Sequence, residues 1–167
     1  MQLLAQEEYG LRCLLELSRH PGERPRTIHE IAAAEGLSPD YTAKLLRELR
    51  RGGLVTSTRG AAGGYRLARP ADEITAFDAI GVLGGSLIPD GFCACHGGAR
   101  KRCVRDADCS LRALWQSVDR AIRGVLEGVT LHDLKRGERG LLALVAASSP
   151  RGAPPPRRTK PPARRAR

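Results

Sequence analysis

Four of the five cysteines lie close together between Gly91 and Trp115, in a segment rich in Gly, Arg, Lys and Asp. They are Cys93, Cys95, Cys103 and Cys109. Thiolates at this density are typical of zinc sites, iron–sulfur clusters or redox-active thiols. One residue separates the first pair, seven the next and five the last, which fits neither zinc knuckles nor ferredoxin patterns. Neighbouring cations favour the thiolate form: Arg100, Lys101, Arg102 and Arg105. Iron–sulfur, zinc and thiol redox chemistry all stay open on these residues alone.

The fifth cysteine, Cys13, falls within the first apolar segment, and we expect it to be a core thiol. An odd number of cysteines argues against a framework of structural disulfides. The 167 residues suffice for one domain with a modest core. No apolar run approaches the ~20 residues that span a membrane, and the N-terminus lacks the pattern of a signal peptide. We therefore expect a cytoplasmic protein with no membrane association.

The net charge of +10 is concentrated at the C-terminus. Residues 151–167 hold seven Arg and Lys and no acid, which leaves 21 bases and 18 acids in the rest of the chain. A segment of Pro and Arg cannot bury apolar surface, so we expect residues 149–167 to be a disordered basic tail. Such a tail either attracts nucleic acid or is simply a solvated end.

Three helices are predicted in the first third of the chain, over about residues 3–18, 27–36 and 38–51. The second opens with "TIHE", a capping box of Thr27 and Glu30. The third opens with Ser38 as N-cap and Pro39 at the first helical position. A short turn that includes Gly36 joins the last two helices, which is the pattern of a helix-turn-helix.

The segment "LVTSTRGAAGGYRLARP" follows and predicts a β-hairpin with strands at 54–58 and 65–68. A hairpin directly after the helix pair is a wing, and this order favours DNA binding. Cations lie where phosphate contacts would need them, both on the third helix and on the wing. They are Lys44, Arg47, Arg51, Arg59 and Arg66.

A short helix is predicted after the wing, capped by Thr75 and Asp78, and a longer one begins at about Ser110. The longer helix carries an apolar stripe that consists of Leu111, Leu114, Trp115, Val118, Ile122, Val125 and Val129. So large a stripe on a small domain indicates a dimer through this helix, and packing within one chain is the alternative. A capping box of Thr130 and Asp133 and the segment "GLLALVAA" predict two further helices.

Three segments of the chain resemble the Rrf2 family of bacterial winged-helix regulators. They are "EEYGLRCLLELS", "GLSPDYTAKLLRELRRGGLVTSTRGAAGGYRLARPADEIT" and "CVRDADCSLRALW", and "RGAAGGYRL" is the most specific part. The resemblance covers about residues 1–135. It implies a mainly α fold: a winged helix-turn-helix DNA-binding domain with a small β-hairpin wing and a long dimerisation helix. It also implies a homodimer on a palindromic operator of double-stranded DNA.

The family includes an iron–sulfur cluster regulator and a nitric-oxide-sensing repressor, so the resemblance implies a cluster in the cysteine segment. Relatives that carry a cluster use three cysteines about five residues apart; Cys103 and Cys109 match the last two. Cys95 is the choice for the first, with Cys93 as its alternative, although the seven-residue gap departs from the family. Arg112 replaces a His that some relatives use as fourth ligand. In others the fourth ligand is an acid that corresponds here to Glu8 of the partner subunit, and His96 is the local alternative. A two-iron cluster is slightly favoured over a four-iron one.

The resemblance also assigns the reading of bases to the start of the third helix. The corresponding residues are Ser38, Asp40, Ala43 and Lys44, with Arg47 beside them and Arg59 in the wing as the minor-groove candidate. Some relatives have Glu at the position of Ala43, so operator preference does not transfer from them.

We therefore expect a homodimeric DNA-binding transcriptional regulator, not an enzyme, that senses redox state, nitric oxide or iron–sulfur status through a cluster. The expected organisation is a winged domain over residues 1–83, a cluster-binding segment over 84–109 and dimerisation and C-terminal helices over 110–148. One alternative is a cluster-free regulator with a thiol redox switch. A small metal- or cluster-binding enzyme or carrier ranks below both.

Overall fold

The computed structural model describes residues 4–22, 24–60, 62–84, 103 and 108–148. The described helices are α1 (Ala5–Ser18), α2 (Ile28–Glu35), α3 (Pro39–Arg51), α4 (Ala76–Leu83), α5 (Ser110–Glu127), α6 (Leu131–Leu134) and α7 (Gly137–Ser148). Two strands, β1 (Val55–Thr58) and β2 (Gly64–Leu67), form an antiparallel hairpin between α3 and α4. The mainly helical fold and the position of the hairpin are as the sequence predicts. None of the described helices is long and apolar enough to span a bilayer.

Local side-chain caps set where the helices begin. The Thr27 hydroxyl accepts the Glu30 N–H, while the Glu30 carboxylate accepts the Thr27 N–H at 2.8 Å. Thr75 with Asp78 and Thr130 with Asp133 form the same reciprocal pair at α4 and α6. Each cap satisfies N–H groups that the first helical turn leaves without a partner. These three capping boxes confirm the predicted helix starts.

The core lies where α1 packs against α2, α3 and α4. Its fully buried side chains are mainly aliphatic: Leu14, Ile31, Leu45, Leu46, Leu49, Leu54, Ile74 and Leu131. Cys13 is buried among them, as expected of a core thiol, and burial raises its pKa to about 12. Gly10 allows α1 to approach α4, because a Cβ there would overlap the Leu83 side chain.

The wing is attached to the rest of the domain through backbone pairing. Val55 faces Leu67 and Thr58 faces Gly64 across the hairpin. Arg26 forms an antiparallel bridge to the outer edge of β2. Its N–H donates to the Tyr65 carbonyl at 2.9 Å, and its carbonyl accepts the Tyr65 N–H at 2.7 Å. These two hydrogen bonds therefore attach the return strand of the wing to the segment before α2.

The chain returns to the winged domain after α5. The Ala76 N–H donates to the Val129 carbonyl at 2.8 Å, and the Leu131 N–H donates to the Ile74 carbonyl at 2.9 Å. The sequence placed Val129 on the apolar stripe of the long helix, and this is wrong. The helix ends at Glu127, and Val129 is buried in the turn, because pairing with Ala76 draws the chain out of the helix.

Candidate nucleic-acid interface and cysteine site

The helix-turn-helix is formed by α2, a tight turn and α3. Gly36 takes a left-handed conformation with φ of 65°, which a residue with a side chain adopts only at a cost. The Ser38 hydroxyl then accepts the Tyr41 N–H at 3.3 Å and begins α3. That hydroxyl keeps its own hydrogen for donation, so Ser38 can cap the helix and contact DNA at the same time.

One face of α3 is buried and the other is exposed. Thr42, Leu45, Leu46 and Leu49 are buried against the domain. The residues of α3 and its N-cap predicted to bind DNA lie outside this face: Ser38, Asp40, Lys44 and Arg47 are exposed, and Ala43 is half-buried. The structure thus brings the predicted set together along one exposed side of one helix.

The tip of the wing carries Arg59, which is exposed as predicted. Gly60 has φ of 101°, and a Cβ at Gly63 would overlap the Thr58 carbonyl oxygen, so the turn requires glycine at both positions. This tight turn holds the Arg59 side chain at the end of a two-stranded arm. An exposed Arg on such an arm suits contact with phosphates or with a narrow minor groove.

Two contacts that position these elements were not predicted. The Arg50 Nη1 donates to the Ser57 hydroxyl at 3.1 Å and links the end of α3 to β1. Arg12 on α1 forms an ion pair with Glu35 on α2 at 2.8 Å and also donates to the Glu35 carbonyl at 2.6 Å. Both join residues from different elements, and neither has a local sequence signal.

The predicted metal ligands fall partly within the described residues. Cys103 and Cys109 are half-buried free thiols, and Cys109 occupies the N-cap position of α5. Three predicted ligand positions lie outside the described residues: Cys95, its alternative Cys93, and His96, the alternative to Glu8. In the described part of the chain, no three His, Cys, Asp or Glu side chains converge as a metal site.

The two acids at the start of α1 differ in accessibility. Glu7 is 3 % exposed, its carboxylate accepts the Leu4 N–H at 2.7 Å, and a Cβ at Gly84 would overlap its Oε1. Glu8 is exposed. Of the two carboxylates, only that of Glu8 is accessible to a second molecule.

The family model described as iron-dependent transcriptional regulator, Rrf2, matches residues 3–137. The chain belongs to the Rrf2 family. The Rrf2 protein of Nitratidesulfovibrio vulgaris is 37 % identical over 139 residues, which cover 81 % of this chain and 88 % of the relative. Two further relatives, CymR of Bacillus subtilis and IscR of Aliivibrio salmonicida, are named HTH-type transcriptional regulators, and neither is an enzyme.

Two solved structures extend this comparison. CymR of Bacillus subtilis, described as the global cysteine regulator, superposes with a TM-score of 0.68 at 34 % identity, over 83 % of this chain and 99 % of that one. IscR of T. potens superposes with a TM-score of 0.64 at 35 % identity, over 83 % of this chain and 90 % of that one. The Rrf2 chain described here is therefore a winged-helix, DNA-binding transcriptional regulator.

Proposed function

We propose that this Rrf2 regulator is a cytoplasmic homodimer that binds a palindromic operator and senses redox state, nitric oxide or iron–sulfur status through its cysteine segment. The observation that carries the dimer is the exposed apolar face of α5. Leu111, Leu114 and Val125 are 53 %, 52 % and 47 % exposed, and no residue of α5 is buried in the single chain. A second copy of the same helix would cover this face, and two-fold symmetry would then set the symmetry of the operator.

The donor set fits an iron–sulfur cluster. Cys95, Cys103 and Cys109 would hold it, with Glu8 of the partner subunit as the fourth ligand. Two observations support this choice: Cys103 and Cys109 are free thiols, and the Glu8 carboxylate is accessible. The N-terminus of α5 at Cys109 also favours negative charge, which suits a thiolate ligand. A bound cluster would supply a redox- and nitric-oxide-reactive group, and an oxygen ligand would leave it labile.

The chain connects the cysteine segment to the DNA-binding residues through α5. Cys109 begins this helix, and its carbonyl accepts the Ala113 N–H at 3.2 Å. Further along, the Arg123 guanidinium lies 4.6 Å from the centre of the Phe77 ring on α4. The turn after α5 pairs with residues 74–76, as described above. A reordering at Cys109 would therefore be transmitted to the winged domain and shift the population of binding-competent dimers.

A second candidate keeps the DNA binding and replaces the cluster by a reversible disulfide among the same cysteines. It is favoured by the likeness to CymR, whose Staphylococcus aureus relative has been solved in an oxidised form. Protein purified without oxygen separates the two candidates. Equal amounts of iron and sulfide, together with absorbance in the visible range, support the cluster. Colourless protein whose migration on a gel depends on oxidation supports the thiol switch.

The ligand assignment is tested by alanine variants. Cys103→Ala or Cys109→Ala should lose the iron and sulfide, whereas Glu8→Ala should retain part of it with faster loss. Cys13→Ala is the matched control, because it also removes a thiol but from the buried core. Comparing the iron retained by Cys93→Ala with that retained by Cys95→Ala identifies the first ligand. Full retention of iron in Cys109→Ala would refute the assignment.

The DNA-binding surface is tested on a duplex selected from a random pool. Arg59→Ala should bind the duplex about tenfold more weakly. The slope of log affinity against log salt concentration should also become shallower by about one, the value for one lost phosphate contact. Arg139→Ala, an equal charge change on α7, should leave both unchanged. Equal losses in the two variants would show that only net charge matters.

A further inference from the structure

A basic cleft opens on the surface of the winged domain. It has a volume of about 490 Å³ and is lined by the end of α1, the segment before α2, strand β2 with residues 68–72, and residues of α6 and its C-cap. No residue of α3 and neither Arg59 nor Cys109 is among the lining residues. Of the five cations predicted to contact DNA phosphates, only Arg66 lines the cleft, so the cleft adjoins the predicted DNA-binding surface at that residue alone. Its size is within the range of pockets for small organic ligands.

The lining of the cleft is strongly cationic. Among the residues that the structure describes, it contains four arginines, one lysine and two histidines against a single aspartate, Asp72. Some of these cations are already paired, because Arg24 contacts Glu30 and Arg69 lies 3.4 Å from Asp78. Within the described part of the chain, Arg66 and Lys135 form no ion pair, and Lys135 donates only to the Ser18 carbonyl at 3.4 Å. The cleft thus retains positive charge after its internal pairs are formed.

Arg26 supplies a second, independent observation. Its Nη2 is held by the buried Glu16 carboxylate at 3.1 Å, which fixes the guanidinium at the wall of the cleft. Its Nε is buried and has no hydrogen-bond partner among the described residues. A buried charged donor without an acceptor is unfavourable, and an anion that reaches the exposed part of the guanidinium from the cleft would stabilise its charge.

Apolar side chains complete the walls. Leu17, Tyr65, Leu67 and Pro70 line the cleft beside the cations. A site with several convergent cations and an apolar wall suits an organic anion better than a bare inorganic one. Tyr65 also pairs with Arg26 through the backbone. A ligand in the cleft would therefore contact both residues of the bridge that attaches the wing.

We propose that this cleft binds a small organic anion with two or more negative charges, carried by carboxylate or phosphate groups. The ligand's oxygens are bound by Arg26, Arg69 and Lys135, and its body lies against Tyr65 and Leu67. Binding at this cleft requires neither DNA nor a cluster, so it does not rest on the proposed function.

Calorimetry and thermal unfolding of the full chain at constant ionic strength test the site, with citrate and AMP as probes. Citrate represents a carboxylate ligand and AMP a phosphate ligand, and adenosine is the uncharged counterpart of AMP. We expect citrate or AMP, but not adenosine, to bind once per chain and to raise the unfolding temperature. In the double variant Arg69→Gln/Lys135→Gln the affinity should fall at least about tenfold.

Arg136→Gln is the matched control, since it removes a neighbouring exposed charge that does not line the cleft. Three results would overturn the proposal. They are no binding of citrate or AMP at millimolar concentrations, equal weakening by Arg136→Gln, and equal binding of adenosine and AMP. A double variant that loses affinity for duplex DNA but binds both anions as before would instead make the cleft a phosphate contact of the operator complex. Failure of the anion site would leave the proposed regulator function untouched.

Discussion

Helices α3 and α5 are both strongly amphipathic, yet their apolar faces meet different surroundings. On α3, Leu45, Leu46 and Leu49 are at most 2 % exposed, because α1, α2, α4 and β1 pack against this helix. On α5, Leu114 and Trp115 remain 52 % and 42 % exposed in the single chain. An apolar stripe therefore predicts that a face will be buried, but it does not say which molecule covers it.

The largest expected effect comes from placing a charge on the exposed face. Leu114→Glu should convert the proposed dimer to a monomer, with association weakened by about a hundredfold or more, because a carboxylate would be buried without a partner at the interface. Sedimentation equilibrium measures this change. Ser117→Glu adds the same charge to an exposed, polar position of α5 and should leave association intact.

The same variant also tests whether α5 is needed for the fold of each chain. Since Leu114 contributes little to the core of the single chain, the Leu114→Glu monomer should keep its helical content. A variant that unfolds instead would mean that α5 is required for the fold of each chain. A variant that stays dimeric would mean that another surface holds the dimer together.

The next effect concerns the face that the chain covers itself. Leu46→Ala should lower the free energy of unfolding by about 2–5 kcal/mol, the cost of a cavity at a fully buried site. Leu142→Ala makes the same chemical change at a side chain that is 63 % exposed and should cost less than about 0.5 kcal/mol. Chemical denaturation of both, in the Leu114→Glu background, removes any contribution from association. Similar losses in the two variants would contradict the burial described for α3.

The comparison also shows why some features were predictable. Capping boxes such as Thr27 with Glu30 depend on residues three apart, so a short stretch of sequence reveals them. The ion pair of Arg12 with Glu35 and the bond from Arg50 to Ser57 depend on how elements pack, and no local pattern announces them. Val129 illustrates the same limit, because a backbone bond to Ala76 overrides the helical spacing that placed it on α5.

The candidate binding sites also differ in how far the sequence predicts them. The exposed positions of Lys44, Arg47 and Arg59 follow from helix periodicity and from the turn of the hairpin. The basic cleft does not, since its cations come from segments as distant as Arg26, Arg69 and Lys135. Its charge density arises only when α1, the wing and α6 are brought together.

The smallest predicted effect tests the cap at the start of α2. The hydrogen bond from Arg24, with those from the Thr27 N–H and hydroxyl, lowers the pKa of Glu30 from 4.5 to about 2. A carboxyl whose pKa is lower in the folded chain stabilises the fold above its unfolded pKa, and this contribution is lost as the pH falls through the folded pKa. Glu30→Gln keeps the shape of the capping box and removes its charge. The unfolding temperature of the wild-type chain should therefore exceed that of Glu30→Gln near neutral pH, and the difference should close between about pH 4.5 and pH 2.

The donor at this cap offers a further test of the same charge. Arg24→Gln removes the largest cause of the shift, so the pKa of Glu30 should rise towards its ordinary value. The stabilisation by Glu30 should then be smaller, and it should disappear at a higher pH than in the wild-type chain. If the difference in unfolding temperature between the wild-type chain and Glu30→Gln stays constant down to pH 2, the charge of Glu30 does not stabilise α2. The hydrogen-bonding geometry of the cap, which Gln reproduces only in part, would then account for the whole effect.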